Sequence, residues 1–150
     1  IAAGIMVSRD KLLIADDLAL PRGRVEPLLH HEIGTHLLTY FNGRAQPFRQ
    51  LYAGLAGYEP LQEGLAVLAE YLVGGLTLRR LRTLAARVVA VDAVVTGTPF
   101  AETFGLLHDQ HGLSRRRSFT TTLRAYRGGG LTKDVIYLRV LRVLLAYYAE

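Results

Sequence analysis

His31-Glu32-Ile33-Gly34-Thr35-His36 sets two imidazoles five residues apart around one carboxylate. The surrounding stretch from about Val25 to Tyr40 has the apolar spacing of a helix. A hydrolytic zinc site needs neutral nitrogen ligands, an open position for water and a nearby general base, and these residue types supply that kit. In the common zinc-protease arrangement the histidines are four apart and share one helix face. Here five residues at about 100° each turn through about 500°, so on a regular α-helix the two rings diverge by about 140°. They converge only where the helix widens by a residue, as in a π-bulge. Gly34 eases such a distortion, and a bulge or kink is predicted around Ile33 to Thr35. His30 stands six residues from His36, a spacing with no helical logic.

A third ligand is sought on the next helix. Gln62-Glu63-Gly64-Leu65-Ala66-Val67-Leu68-Ala69-Glu70 places Glu63 and Glu70 seven apart on one face of an apolar helix. Two histidines plus a glutamate form a known catalytic zinc set. Either carboxylate can complete it, with the other orienting a ligand histidine. The bland alternatives are a first-turn dipole partner for Glu63 and a surface charge for Glu70.

Around this site the chain of 150 residues is half apolar, which suits one folded domain and excludes a disordered tail. It contains no cysteine, so disulfides, thiolate metal sites and a cysteine nucleophile are excluded. That is compatible with a reducing compartment, and a cytoplasmic location is expected. No stretch is long and apolar enough for a membrane span. The net charge is 18 − 13 = +5, carried by scattered arginines. The runs Arg79-Arg80-Leu81-Arg82 and Arg115-Arg116-Arg117 read as solvated helix faces, and neither a groove-reading motif nor interleaved aromatics accompanies them. No nucleic-acid or membrane partner is expected.

The predicted class is α+β, predominantly helical, with a small N-terminal β-hairpin. Ile5-Met6-Val7 and Leu12-Leu13-Ile14 are its strands. Helices follow over about Val25–Tyr40, stopping at Asn42-Gly43, and over Phe48–Leu55. Others run from Pro60 to Gly74-Gly75, over Thr77–Val95, after Thr98, after Ser114, and from Thr132 to about Tyr148. Residues 1–150 are expected to form one catalytic domain, a piece of a longer chain. His108 and His111 read as helix-end residues.

Arg127-Gly128-Gly129-Gly130-Leu131-Thr132-Lys133 is a second suggestive segment. Its glycines let the backbone approach a ligand and lead into a helix N-terminus, which favours an anion. Arg127 and Lys133 bring positive charge there. Lys133 and Tyr137 share a helix face.

Taken together, His31-Glu32-Ile33-Gly34-Thr35-His36, Asn42-Gly43, Gln62-Glu63-Gly64-Leu65-Ala66 and Arg127 to Asp134 resemble the QEGLA-motif proteins. These include bacterial flavohemoglobin expression-modulating members and the microtubule-associated tyrosine carboxypeptidases. The resemblance spans about Arg24 to Leu145. It implies a zincin-like, gluzincin-type core and a zinc carboxypeptidase removing a C-terminal residue from a peptide or protein. It further implies one zinc held by His31, His36 and Glu63, with Glu32 as general base. Arg127, Gly129, Gly130 and Lys133 would then take the substrate carboxylate, with Tyr137 or Arg127 as oxyanion donor. The alternative is a non-catalytic peptide-binding or regulatory domain on a zinc-protease scaffold. Tubulin specificity is not carried over.

Overall fold

The computed structural model describes residues 4–128, 131 and 133–150. They are mostly helical, with one small antiparallel hairpin. Strands β1 (Ile5–Ser8) and β2 (Lys11–Ile14) pair in the register Ile5 with Ile14 through Ser8 with Lys11. Ile5 and Val7 turn one face inward while Met6 and Ser8 stay exposed, the period of two that the sequence carries.

A helical rod follows. Helix α1 (Val25–His31) passes without a break into a π-helical segment (Glu32–Leu37) and then into α2 (Leu38–Arg44). The widening predicted around Ile33 to Thr35 is therefore present, and it extends a residue or two further on each side. The rod also runs through Asn42-Gly43, where a stop was expected. Gly43 is buried, and a Cβ on it would lie 2.8 Å from the Leu51 carbonyl carbon and 2.9 Å from Tyr52 Cα. This glycine serves close approach by α3 (Gln50–Ala53) and does not end the helix. Helix α3 is itself shorter than the expected Phe48–Leu55.

Helix α4 (Tyr58–Leu72) begins two residues before Pro60, which still sits in the first turn where its missing N–H costs nothing. Its end follows the expected Gly74-Gly75 signal. Gly74 adopts φ 71°, and its N–H donates to Tyr71 O at 2.9 Å. Gly75 N–H reaches back to Glu70 O at 2.7 Å, which closes a Schellman turn.

The remaining helices are α5 (Leu78–Val95), α6 (Phe100–Gly105), α7 (Arg115–Tyr126) and α8 (Lys133–Tyr147). Helix α6 continues into a second π-helical segment, Leu106–Gln110, which the sequence reading did not anticipate. His108 lies in the last turn of that segment, its Nδ1 2.7 Å from Leu113 O, and His111 caps the end. The expected N-cap Thr132 and the pair Gly129-Gly130 lie outside the described residues.

The chain divides into two compact units, Ile1–Thr77 with Val140–Glu150, and Leu78–Arg139. In the first, α4 packs on α1 and on the π-helical segment, while β1 packs on the same segment. In the second, Ala86, Ala90, Val91, Leu107, Leu113 and Ala125 form a buried apolar cluster.

Gly64 marks the tightest approach in the first unit. A Cβ there would lie 2.7 Å from Val140 Cβ and 3.3 Å from Leu144 Cδ1. Rotating Val140 cannot move its own Cβ, so the backbone must shift. Gly64→Ala should therefore lower unfolding stability by about 1–3 kcal/mol, despite the better helix propensity of alanine. Urea unfolding followed by circular dichroism reads this directly, and an unchanged midpoint would contradict the packing.

Candidate metal centre

The π-helical segment solves the geometric problem posed by the five-residue spacing. Its hydrogen bonds run from residue i+5 to residue i, which puts His31 and His36 one turn apart. Their ring centres are 5.1 Å apart at an interplanar angle of 64°. Threonine side chains occupy carbonyls along the widened turn. Thr35 Oγ1 donates to His30 O at 3.3 Å, and Thr39 Oγ1 donates to Thr35 O at 2.6 Å. Gly34 is exposed, and a Cβ there would meet only His30 Nδ1 at 3.7 Å. Its φ is not in the left-handed region and no neighbour needs the space, so neither backbone conformation nor packing demands a glycine here.

Glu63 approaches the two rings from α4. Its Oε2 lies 3.9 Å from His31 Nε2 and 3.7 Å from His36 Nε2. One ligand atom from each of the three residues falls within 4.8 Å of the others. These separations are too long for hydrogen bonds. Tetrahedral ligands with bonds of about 2.0–2.2 Å stand about 3.3–3.6 Å from one another. The two glutamate–histidine separations therefore need a contraction of only a few tenths of an ångström to suit a shared metal ion. Both His31 and Glu63 are buried, and His36 is nearly so.

Glu70 takes the orienting role. Its Oε1 lies 2.9 Å from His31 Nδ1, and it is wholly buried. With Nδ1–H donating to that carboxylate, the lone pair of His31 Nε2 faces Glu63 and the metal position. Arg24 holds the other end of the carboxylate, with Nη1 donating to Glu70 Oε2 at 2.8 Å and to Gly75 O at 3.3 Å. A chain of charge-assisted contacts thus runs from Arg24 through Glu70 to His31. Glu70→Gln keeps the shape of the side chain and removes its charge. It should weaken metal affinity by roughly 10–100-fold, which competition with a chromogenic chelator measures; unchanged affinity would remove Glu70 from this role.

His36 is held from the other side of the motif. Burial pushes its pKa below the ordinary imidazole value, against the Glu63 carboxylate and a hydrogen bond with the Gln62 side chain. A depressed value keeps the ring neutral at neutral pH, the form a metal ligand requires. Gln62 therefore touches one of the two histidines while its neighbour Glu63 faces both.

Glu32 follows His31 directly and is half-buried. Its Oε2 accepts a hydrogen bond of 3.2 Å from the Val7 backbone N–H. Strand β1 thereby borders the site and fixes one carboxylate oxygen. Ladder alternation explains why this donor is available. The Ala15 N–H donates to Gly4 O at 2.7 Å, so Gly4 and Ala15 form a hydrogen-bonded pair. Two residues on, Met6 and Leu13 repeat that pattern, and the backbone groups of Ile5 and Val7 point outward from the hairpin.

The remaining sequence-predicted residues belong to the second unit. Arg127 caps the end of α7 and is exposed, and Lys133 opens α8 and is exposed. Tyr137 lies one turn further along α8 and is buried. Among the described residues, only His31, His36 and Glu63 form a group of three or more such side chains able to hold a metal ion.

Sequence reasoning missed Arg24 and Gln62 as supports and the Val7 N–H as the anchor of Glu32. For Gln62 the signal was present, since it adjoins Glu63. No curated protein and no solved structure matches the chain. The family profile described as microtubule-associated tyrosine carboxypeptidase matches residues 1–150. With a match along its whole length and a metal-competent His-His-Glu group at its centre, the chain belongs to the microtubule-associated tyrosine carboxypeptidase family.

Proposed function

We propose that this chain is a zinc-dependent carboxypeptidase with a gluzincin-like catalytic core, spanning residues 1–150 as one catalytic domain. The observation that carries the reading is the convergence of His31, His36 and Glu63 beside Glu32. Two imidazole nitrogens and one carboxylate oxygen suit zinc, and three protein ligands leave a position open. A bound zinc ion would supply Lewis acidity to a water molecule and to the scissile carbonyl.

The chain's own residues do the rest. Glu32 accepts a proton from the attacking water and delivers it to the leaving amine. The Val7 N–H holds one of its oxygens, which leaves the other to face the water. Glu70 and Arg24 keep His31 in the ligating tautomer, and Gln62 steadies His36. The outward backbone groups of Ile5 and the Val7 carbonyl offer an extended peptide an edge for strand addition, the Val7 N–H being taken by Glu32.

The substrate is a peptide or protein C-terminus, as the family's description suggests. On the sequence resemblance we assign its carboxylate to Arg127, Gly129, Gly130 and Lys133, and oxyanion stabilisation to Tyr137 or Arg127. A cytoplasmic setting is part of the same reading; no helix among the described residues is long and apolar enough to cross a membrane.

The test is a peptide library incubated with zinc-loaded protein and read by mass spectrometry. Loss of one C-terminal residue from free-acid peptides, and none from their C-terminal amides, is expected. No cleavage, or cleavage inside the peptides, would overturn the carboxypeptidase reading.

A further inference from the structure

The second unit contains a cavity of about 190 Å³ whose lining is set by helical periodicity. On α5, Thr83 and Arg87 are four residues apart and share a face. On α7, Arg117, Thr120, Thr121 and Arg124 follow the i, i+3, i+4, i+7 spacing of one stripe. The two helices pack on each other, so three arginines converge on one opening. The Arg115-Arg116-Arg117 run is accordingly not one solvated face. Arg115 and Arg116 are exposed, while Arg117 turns inward and is half-buried.

The charges around this cavity do not balance. One carboxylate, Asp134, is almost wholly buried beside it. Arg124 occupies both of its oxygens, with Nε to Oδ2 at 2.6 Å and Nη2 to Oδ1 at 3.0 Å. Arg87 is left with a contact of 3.5 Å to Oδ1, longer than a charge-assisted hydrogen bond. Three cations against one anion leave an excess of two positive charges. Arg87 is largely buried, and that burial lowers its pKa, with Arg124 and Arg80 adding to the effect against Asp134. Partly buried cationic charge in excess favours an anion beside it.

We propose that this cavity is a binding site for a phosphate-class oxyanion, held by Arg87, Arg117 and Arg124. A dianion matches the surplus of two charges, and guanidinium forks suit tetrahedral oxyanions. Every lining residue belongs to the second unit, and none of them is among the residues assigned to the metal, the general base or the substrate carboxylate.

Calorimetric titration of the full chain tests this, with inorganic phosphate and phenyl phosphate as separate probes at constant ionic strength. Wild type should bind saturably at millimolar concentration or tighter, and Arg117→Gln should weaken that binding by about tenfold or more. The Arg117 side chain is half-buried and joins none of the hydrogen bonds or ion pairs described for the second unit, so the variant should keep the wild-type melting curve; Arg87→Gln supplies a second loss. Binding of both probes identifies a site open to phosphate monoesters, and binding of inorganic phosphate alone identifies the free ion as occupant. No saturable binding, or binding that survives Arg117→Gln at full strength, overturns the proposal; the second outcome would assign the anion to another place, such as the metal centre.

Discussion

Glu32→Gln should abolish peptide turnover while leaving the metal in place. The substitution keeps the size of the side chain and retains an oxygen to accept the Val7 N–H. It removes the basicity that proton transfer requires. A positioned general base contributes roughly 10²–10⁴ in rate, and a fall of that size is expected. Metal content should stay at the wild-type level, because Glu32 is not among the three facing ligand residues. The informative comparison is turnover and metal content on one preparation of each protein. Wild-type turnover in the variant would show that another group takes the proton.

The second large effect concerns the ligands themselves. His36→Ala should reduce metal affinity by more than about 100-fold, beyond what loss of a supporting residue such as Glu70 produces. Glu63→Ala should do the same, although the two side chains come from different elements, the π-helical segment and α4. Equal losses from both would indicate one shared ion. Dialysis against a calibrated zinc buffer gives both affinities. If His36→Ala kept wild-type affinity while Glu63→Ala lost it, the five-residue histidine pair would not be the ligand pair.

Why so much of this site is legible in the sequence follows from how local it is. The spacing of His31 and His36 carries a geometric contradiction on a regular α-helix, and only a widened turn removes it. Glu63 and Glu70 share a face by periodicity alone. Which of them faces the metal position depends on tertiary packing, so the residues by themselves left both roles open. The structure separates them: Glu63 meets both rings, and Glu70 meets the back of His31.

What stayed hidden depends on distant contacts. Arg24 reaches Glu70 across 46 positions, and no local pattern announces such a pair. The Val7 N–H is a backbone group, so the identity of its side chain says nothing about its role. Asn42-Gly43 has the local form of a helix end, yet packing of α3 against Gly43 decides otherwise. The Arg115-Arg116-Arg117 run misleads in the same way, because only the third arginine lies on the stripe of α7 that faces α5.

The most direct test is a crystal structure of zinc-loaded protein with anomalous data collected on both sides of the zinc absorption edge. A single zinc peak should appear between His31 Nε2, His36 Nε2 and Glu63 Oε2, at about 2.0–2.2 Å from each. No peak there after loading, or a zinc bound instead by His30, His108 or His111, would contradict the metal centre described here and the hydrolytic chemistry built on it.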